Sequence, residues 1–189
     1  KKANMLPKTI LLLADVFAIV CLARFILQWA KLSHSHPLAH FYSQTTDWLV
    51  SPLRKIVPPF KQWDSACILA PILIYYICFT VLLLLGQPES IGIKSIAANL
   101  LLTLLYLSKA GAYVLLFGLV LRMIISFSKP YGELLPALQR IFMPLTQAFS
   151  MLRIGRYDFS GSVIAIILWL WLTRLVPALI IQLNMWILQ

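Results

Sequence analysis

Apolar residues fill four long runs, roughly Leu6–Ala30, Ala66–Gly86, Ile96–Phe127 and Gly161–Leu183. Each is long enough to cross a hydrocarbon core as a helix, which takes about 20 residues. The third is long enough to tilt or to extend beyond the bilayer. Between the second and third runs, Gln87-Pro88-Glu89-Ser90-Ile91-Gly92 has the composition of a turn. The other two connections are long, and their apolar residues step by three and four. Leu38, Phe41, Tyr42, Trp48, Leu49, Leu53, Ile56, Val57 and Phe60 mark one face in the first connection. Leu134, Leu135, Leu138, Ile141, Phe142, Leu145, Phe149 and Leu152 mark one in the second. This spacing predicts an amphipathic helix in each, too short and too polar to span. Pro52 and Pro144 fall at the same relative place and are expected to kink these helices. Two placements fit: a helix lying in the interface with its basic residues at headgroups, or a re-entrant helix that dips and returns at the proline. A soluble helix packed on the bundle grades into the first of these.

The polar positions repeat as well. Arg24, then Ser51-Pro52-Leu53, then Trp63-Asp64-Ser65 recurs as Arg122, then Met143-Pro144-Leu145, then Tyr157-Asp158-Phe159-Ser160. The copies are 98 residues apart at the arginine, 92 at the proline and 94 at the aspartate. Such self-similarity marks an internal duplication. The expected fold is therefore all-α and integral to the membrane: four transmembrane helices in two tandem parallel repeats, residues 1–90 and 91–189. Each repeat carries an amphipathic helix between its two spans, and the whole forms one membrane-embedded bundle. Two spans per repeat is an even number, so both copies enter the membrane in the same direction, about a pseudo-two-fold axis along its normal.

Composition narrows the function classes. Of 189 residues, 61% are hydrophobic and only 12% charged, and mean hydropathy is +0.87. Soluble domains lie well below this. The net charge of +10 then reads as membrane orientation and headgroup contact, because no nucleic-acid module fits between the spans. Lys31, Arg54, Lys55, Lys61, Lys129, Arg140, Arg153 and Arg156 fall on the side of the amphipathic helices, against Lys1, Lys2, Lys8 and Lys94 on the other. That asymmetry favours a cytoplasmic amphipathic face, although the N-terminal lysines pull the other way. The first run is too long for a signal-peptide core and has no small-residue cleavage site after it, so it reads as an uncleaved span. Cys21, Cys67 and Cys78 lie within apolar runs and read as small buried hydrophobes. The six tryptophans suit interface belts and packing.

Candidate chemistry resides in a few charges. Arg24 and Arg122 lie at the loop-side ends of spans one and three, and Asp64 and Asp158 at the loop-side starts of spans two and four. Ion pairs Arg24–Asp64 and Arg122–Asp158, or the same pairs swapped between repeats, would tie each hairpin together. The simpler alternative has the arginines snorkelling and the aspartates capping helices beside Ser65 and Ser160. Asp15, Lys109 and Arg174 fall deeper. From the amphipathic face Asp15 and Arg174 lie about 20 Å in and Lys109 about 27 Å in, at about 1.5 Å per residue. Charges at such depth usually face the protein interior and pair, so Asp15 is expected to meet Arg174 or Lys109. The alternative sends both cations outward to the far interface. On the amphipathic helices Pro52, Arg54, Lys55, Pro58, Arg140 and Pro144 form the candidate headgroup-contact set. His34, His36 and His40 suit a solvated loop better than a metal site, since no acidic residue or cysteine lies close by and the second repeat has no counterpart. GxSxG, HExxH, Walker and GxGxxG motifs are absent, so no enzyme, metal or cofactor is expected.

The motif Thr46-Asp47-Trp48-Leu49-Val50-Ser51-Pro52-Leu53-Arg54-Lys55-Ile56-Val57-Pro58, followed by Asp64-Ser65, resembles the repeat of the YggT/YlmG family. These are small integral membrane proteins of bacteria with relatives in chloroplasts. The resemblance covers nearly the whole chain in the two-repeat bacterial form. Arg24, Pro52, Arg54, Pro58, Asp64 and Ser65 match in the first repeat, and Arg122, Pro144, Asp158 and Ser160 in the second. The second repeat departs at Thr146 and Gln147, where basic residues are usual, lacks the later proline, and has Gly161 where Asp-x-Ser-Pro would place one. The first has Ala66 and Cys67 rather than Ser-Pro. The resemblance implies a bacterial inner-membrane location and an association with osmotic or ionic stress tolerance, or with division and membrane-complex assembly. The expected function is a non-enzymatic membrane scaffold or assembly factor. Its partners would be a bilayer with anionic headgroups and a membrane protein or second copy of the chain. A small potassium or proton transporter or channel, or an accessory subunit of one, is the alternative.

Overall fold

The computed structural model describes residues 5–33, 36–58, 64–86, 92–127, 133–149, 153–154, 157–158 and 160–188. Seven α-helices dominate them: α1 (Met5–Trp29), α2 (Pro37–Ile56), α3 (Ser65–Gly86), α4 (Ile93–Phe127), α5 (Leu134–Ala148), α6 (Ser160–Leu170) and α7 (Val176–Leu188). A five-residue π-helical stretch, Trp171–Leu175, joins α6 to α7 in one rod. Four segments are long and apolar enough to cross a membrane: Pro7–Trp29, Ser65–Leu85, Ile93–Ile125 and Ser160–Trp186. Each expected span is present, with ends shifted by a few residues. At 1.5 Å per residue the 35 residues of α4 reach about 52 Å, well beyond a hydrocarbon core of about 30 Å.

Two features depart from the simple helical expectation. Arg153–Ile154 and Tyr157–Asp158 form a two-residue antiparallel ladder before α6. The last span carries a π turn because Pro177 has no N–H to give. The register slips by one residue there, and the Val176 N–H bonds the Trp171 carbonyl. Pro52 and Pro144 end neither α2 nor α5, each of which runs through its proline. Of the expected turn at 87–92, residues 87–91 lie outside the described residues.

Helices in lipid gain little from the hydrophobic effect and associate by close packing, which small residues permit. Ala14 and Ala18 of α1 meet Tyr75 and Phe79 of α3 and Leu102 and Ala110 of α4 in one buried cluster. A second cluster joins α1, α2 and α3 through Cys21, Val50, Leu53, Ala66, Cys67 and Ala70. A third gathers Leu32, Leu119 of α4, Ile164 of α6, and Leu138, Ile141 and Phe142 of α5. Thus α2 packs on α1 and α3, α5 packs on α4 and α6, and α4 also contacts α1, α3 and α7. The α5 seat depends on Gly118. A Cβ there would lie 3.1 Å from Cζ of Phe142.

The end of α1 is a Schellman turn. Leu32 N–H bonds Leu27 carbonyl, Lys31 N–H bonds Gln28 carbonyl, and Lys31 has φ of 58°. Lysine stands where glycine is usual, at a steric cost, but its charge complements the negative end of the helix dipole.

Candidate functional site

The charged residues of the spans gather at two depths. In the deeper layer Asp15 of α1 accepts two hydrogen bonds, from Lys109 Nζ of α4 and Tyr75 Oη of α3, both at 2.7 Å. Lys109 Nζ also lies 4.7 Å from the centroid of the Tyr106 ring, which packs edge-on against Phe79. Asp15 and Lys109 are each about four-fifths buried. An ammonium in this setting is held by its carboxylate and an aromatic face together. The difference in depth of about 7 Å expected for these residues at 1.5 Å per residue is bridged by the four-carbon lysine stem. Arg174 takes no part. It sits in the π turn, exposed, in the middle of the last span.

The shallower layer surrounds the loop-side end of α1. The Arg24 side chain is only 6% exposed; its Nη1 donates to Thr46 Oγ1 at 2.6 Å and lies 2.8 Å from Asp47 Oδ1, both on α2. Asp64, at the start of α3, instead pairs with Arg54 of α2. Arg54 Nε lies 3.1 Å from Asp64 Oδ2, Nη2 also bonds that oxygen, and Cys67 Sγ lies 3.3 Å from it. The expected Arg24–Asp64 pair is therefore corrected: both residues are in ion pairs, but each with a residue of the intervening helix. The reason is geometric. The helix α2 packs against both α1 and α3, which also pack on each other, and so sets Asp47 against Arg24 and Arg54 against Asp64. Arg54 is accordingly not a free headgroup contact. Its hydrogen bond to Asp64 raises its pKa above the ordinary value against the opposing effect of burial. Burial raises that of Tyr42.

The remaining candidates are dispersed. Arg140 of α5 is exposed, and its Nη1 donates to the Ala30 carbonyl at 3.2 Å, satisfying the end of α1. Lys55 and Pro52 are exposed on α2, and Pro144 on α5. Pro58 is exposed, and its carbonyl accepts from Ser65 Oγ at 3.2 Å. Arg122 lines an open cleft of about 540 Å³ with Leu119, Ser160, Gly161 and Ser162. The Asp158 side chain, its expected partner, lies outside the described residues, as does His34. His36 caps α2, accepting from Leu38 N–H at 3.3 Å, and His40 is exposed.

Between α1 and α2 lies a polar cavity of about 200 Å³, lined by Arg24, Leu27, Gln28, Leu32, Ala39, Tyr42, Ser43, Asp47 and Arg54. Two of these residues carry a buried polar atom with no partner among the described residues, Arg24 Nε and Gln28 Oε1. Tyr75 and Gln28 were not singled out in the sequence, and Thr46, Asp47 and Cys67 were named there without these partners. Thr46 carried the clearest signal: it shares a stripe with Val50 and Leu53, at steps of four and three, where a polar residue needs a buried partner.

Residues 3–85 match the CCB3/YggT family model. The chain is similar to a Vibrio alginolyticus protein of the proC 3′ region, 31% identical over 66% of each chain, so the match spans just under two thirds of that relative. It is 28% identical to a Haemophilus influenzae protein over 80% of each chain, and 29% identical to Escherichia coli YggT over 36% of each. These relatives are themselves uncharacterised. No solved structure matches.

Proposed function

We propose that this chain, which matches the CCB3/YggT family model over residues 3–85 and has four apolar helices long enough to span a membrane, is a multi-pass membrane protein that works without catalysis, as a scaffold or assembly factor of the bacterial inner membrane. The carrying observation is the bonding of its deep charges. Asp15, Lys109 and Tyr75 satisfy one another across α1, α4 and α3. A closed ion pair of this kind locks helices together, whereas a conduction path needs charged groups free to exchange ions. Neither the polar cavity by α2 nor the cleft by Arg122 includes Asp15 or Lys109.

On this reading α2 and α5 are interfacial amphipathic helices of two tandem repeats. Support for the repeat comes from the order of packing: α2 against α1 and α3, α5 against α4 and α6. Support for the interfacial position comes from α2, which turns Thr46, Val50 and Leu53 inward but leaves Phe41, Trp48 and Ile56 more than half exposed beside Lys55. Such a face suits the acyl–headgroup boundary. The excess of basic residues on that side favours the cytoplasm, and anionic lipid and a membrane-protein partner or second copy are the expected contacts. Osmotic or ionic stress is the physiological setting implied by the resemblance. The test is ion flux across liposomes holding purified protein, with Asp15→Asn alongside. Membranes tight to potassium and protons in both cases support the scaffold. Flux that drops in the variant would replace it with a transporter.

A further inference from the structure

We propose that the cavity between α1 and α2 is a binding site for a phosphoethanolamine group, carried by a phospholipid or free. Residues that carry an unmet donor and an unmet acceptor line the cavity. Arg24 is more than nine-tenths buried, yet its Nε has no partner among the described residues while its Nη1 is held by Thr46 and Asp47. Arg54 lines the same space. On the acceptor side, Gln28 Oε1 is buried without a partner, and the Asp47 carboxylate is half exposed. A buried polar atom left unbonded costs free energy that a ligand with the complementary group recovers.

Charge then selects the ligand. Each arginine already has a carboxylate, Asp47 for Arg24 and Asp64 for Arg54, so the site is close to neutral. A bare phosphate or a lone ammonium would enter uncompensated. A zwitterion with a phosphate for the guanidinium N–H groups and a primary ammonium for Gln28 Oε1 and Asp47 meets both needs at once. The volume of about 200 Å³ compares with about 30 Å³ for one liquid water, which leaves room for such a headgroup. Bound as lipid, it would fix α2 on α1 at headgroup level; this lipid form rests on the interfacial reading of α2.

The experiment uses full-length purified protein in detergent, titrated by calorimetry. The probes are short-chain phosphatidylethanolamine, phosphatidylcholine and phosphatidylglycerol, and free phosphoethanolamine. Two variants remove the site without touching either ion pair: Gln28→Leu deletes the acceptor, and Ser43→Leu fills the space. The expected result is one saturable phosphatidylethanolamine site, with Kd weakened roughly tenfold or more in either variant, the scale of a lost hydrogen bond to a charged group. The choline and glycerol headgroups, which lack a donating ammonium, bind comparably weakly to the parent. Free phosphoethanolamine competing as well as the lipid identifies a soluble ligand, and lipid binding alone identifies a headgroup; both support the site. Equal binding of the three headgroups, or variants that bind like the parent, overturns it. Quenching of Trp48 by brominated lipids, in a variant with no other tryptophan, separately reads the interfacial position of α2. Loss of quenching with binding intact would sink that reading alone.

Discussion

Asp15 and Lys109 are 94 positions apart in sequence and 2.7 Å apart in space. Removing one member of a buried pair leaves the other charge uncompensated, which costs about 3–5 kcal/mol. Asp15→Ala should therefore lower the melting temperature of the purified protein sharply. Lys109→Met added to it should restore much of the loss, because an apolar replacement of both partners is often neutral. Additive losses in denaturant titration would count against the pair. Lys31 makes the opposite kind of prediction. Its φ of 58° suits glycine, so Lys31→Gly should be neutral or stabilising by up to about 1 kcal/mol, where the same change inside a helix would destabilise. A melting temperature several degrees lower would mean that the lysine charge outweighs the backbone strain.

At the scale of elements, the two short helices owe their positions to different contacts. α5 is seated through Phe142, fully buried against Gly118 of α4. Gly118→Val should push that ring out and destabilise the protein by about 1–3 kcal/mol, the usual cost of overpacking. Phe142→Leu combined with it should relieve part of the loss, and an unrelieved double variant would place the strain elsewhere. α2 is held by polar bonds on both flanks, Arg24 to Thr46 and Asp47 on one side and Arg54 to Asp64 on the other. The sequence showed the amphipathic period of α2 and the importance of Arg24 and Asp64. It did not show that each would pair with a residue of α2. Partner choice depends on how a helix docks, which a period of 3.6 leaves open.

For the whole molecule, α4 is the central member, since it contacts α1, α3, α5, α6 and α7. The Asp15–Lys109 pair therefore crosses from residues 1–90 to residues 91–189. Co-expressed as separate chains, these two pieces should copurify, and Asp15→Ala should reduce recovery of the complex several-fold. Undiminished recovery would mean that apolar packing through Ala14, Ala18 and Ala110 suffices by itself.

Length and apolarity alone were enough to predict the four spans, because a bilayer admits only segments that satisfy their own backbone and bury no stray charge. Periodicity likewise predicted a helix in each long connection, where α2 and α5 lie, and the rarity of charge in the apolar runs drew attention to Asp15, Lys109, Arg24 and Asp64. Only the tertiary structure decided which charge meets which, that Arg174 stays outside the set, and that Pro177 shifts the last span into a π turn. It also created the polar cavity between α1 and α2. Hydropathy is a property of each residue with its solvent, legible along the chain. Pairing and cavities arise from the angle and register at which helices meet, set by the sum of many small packing contacts across distant parts of the chain.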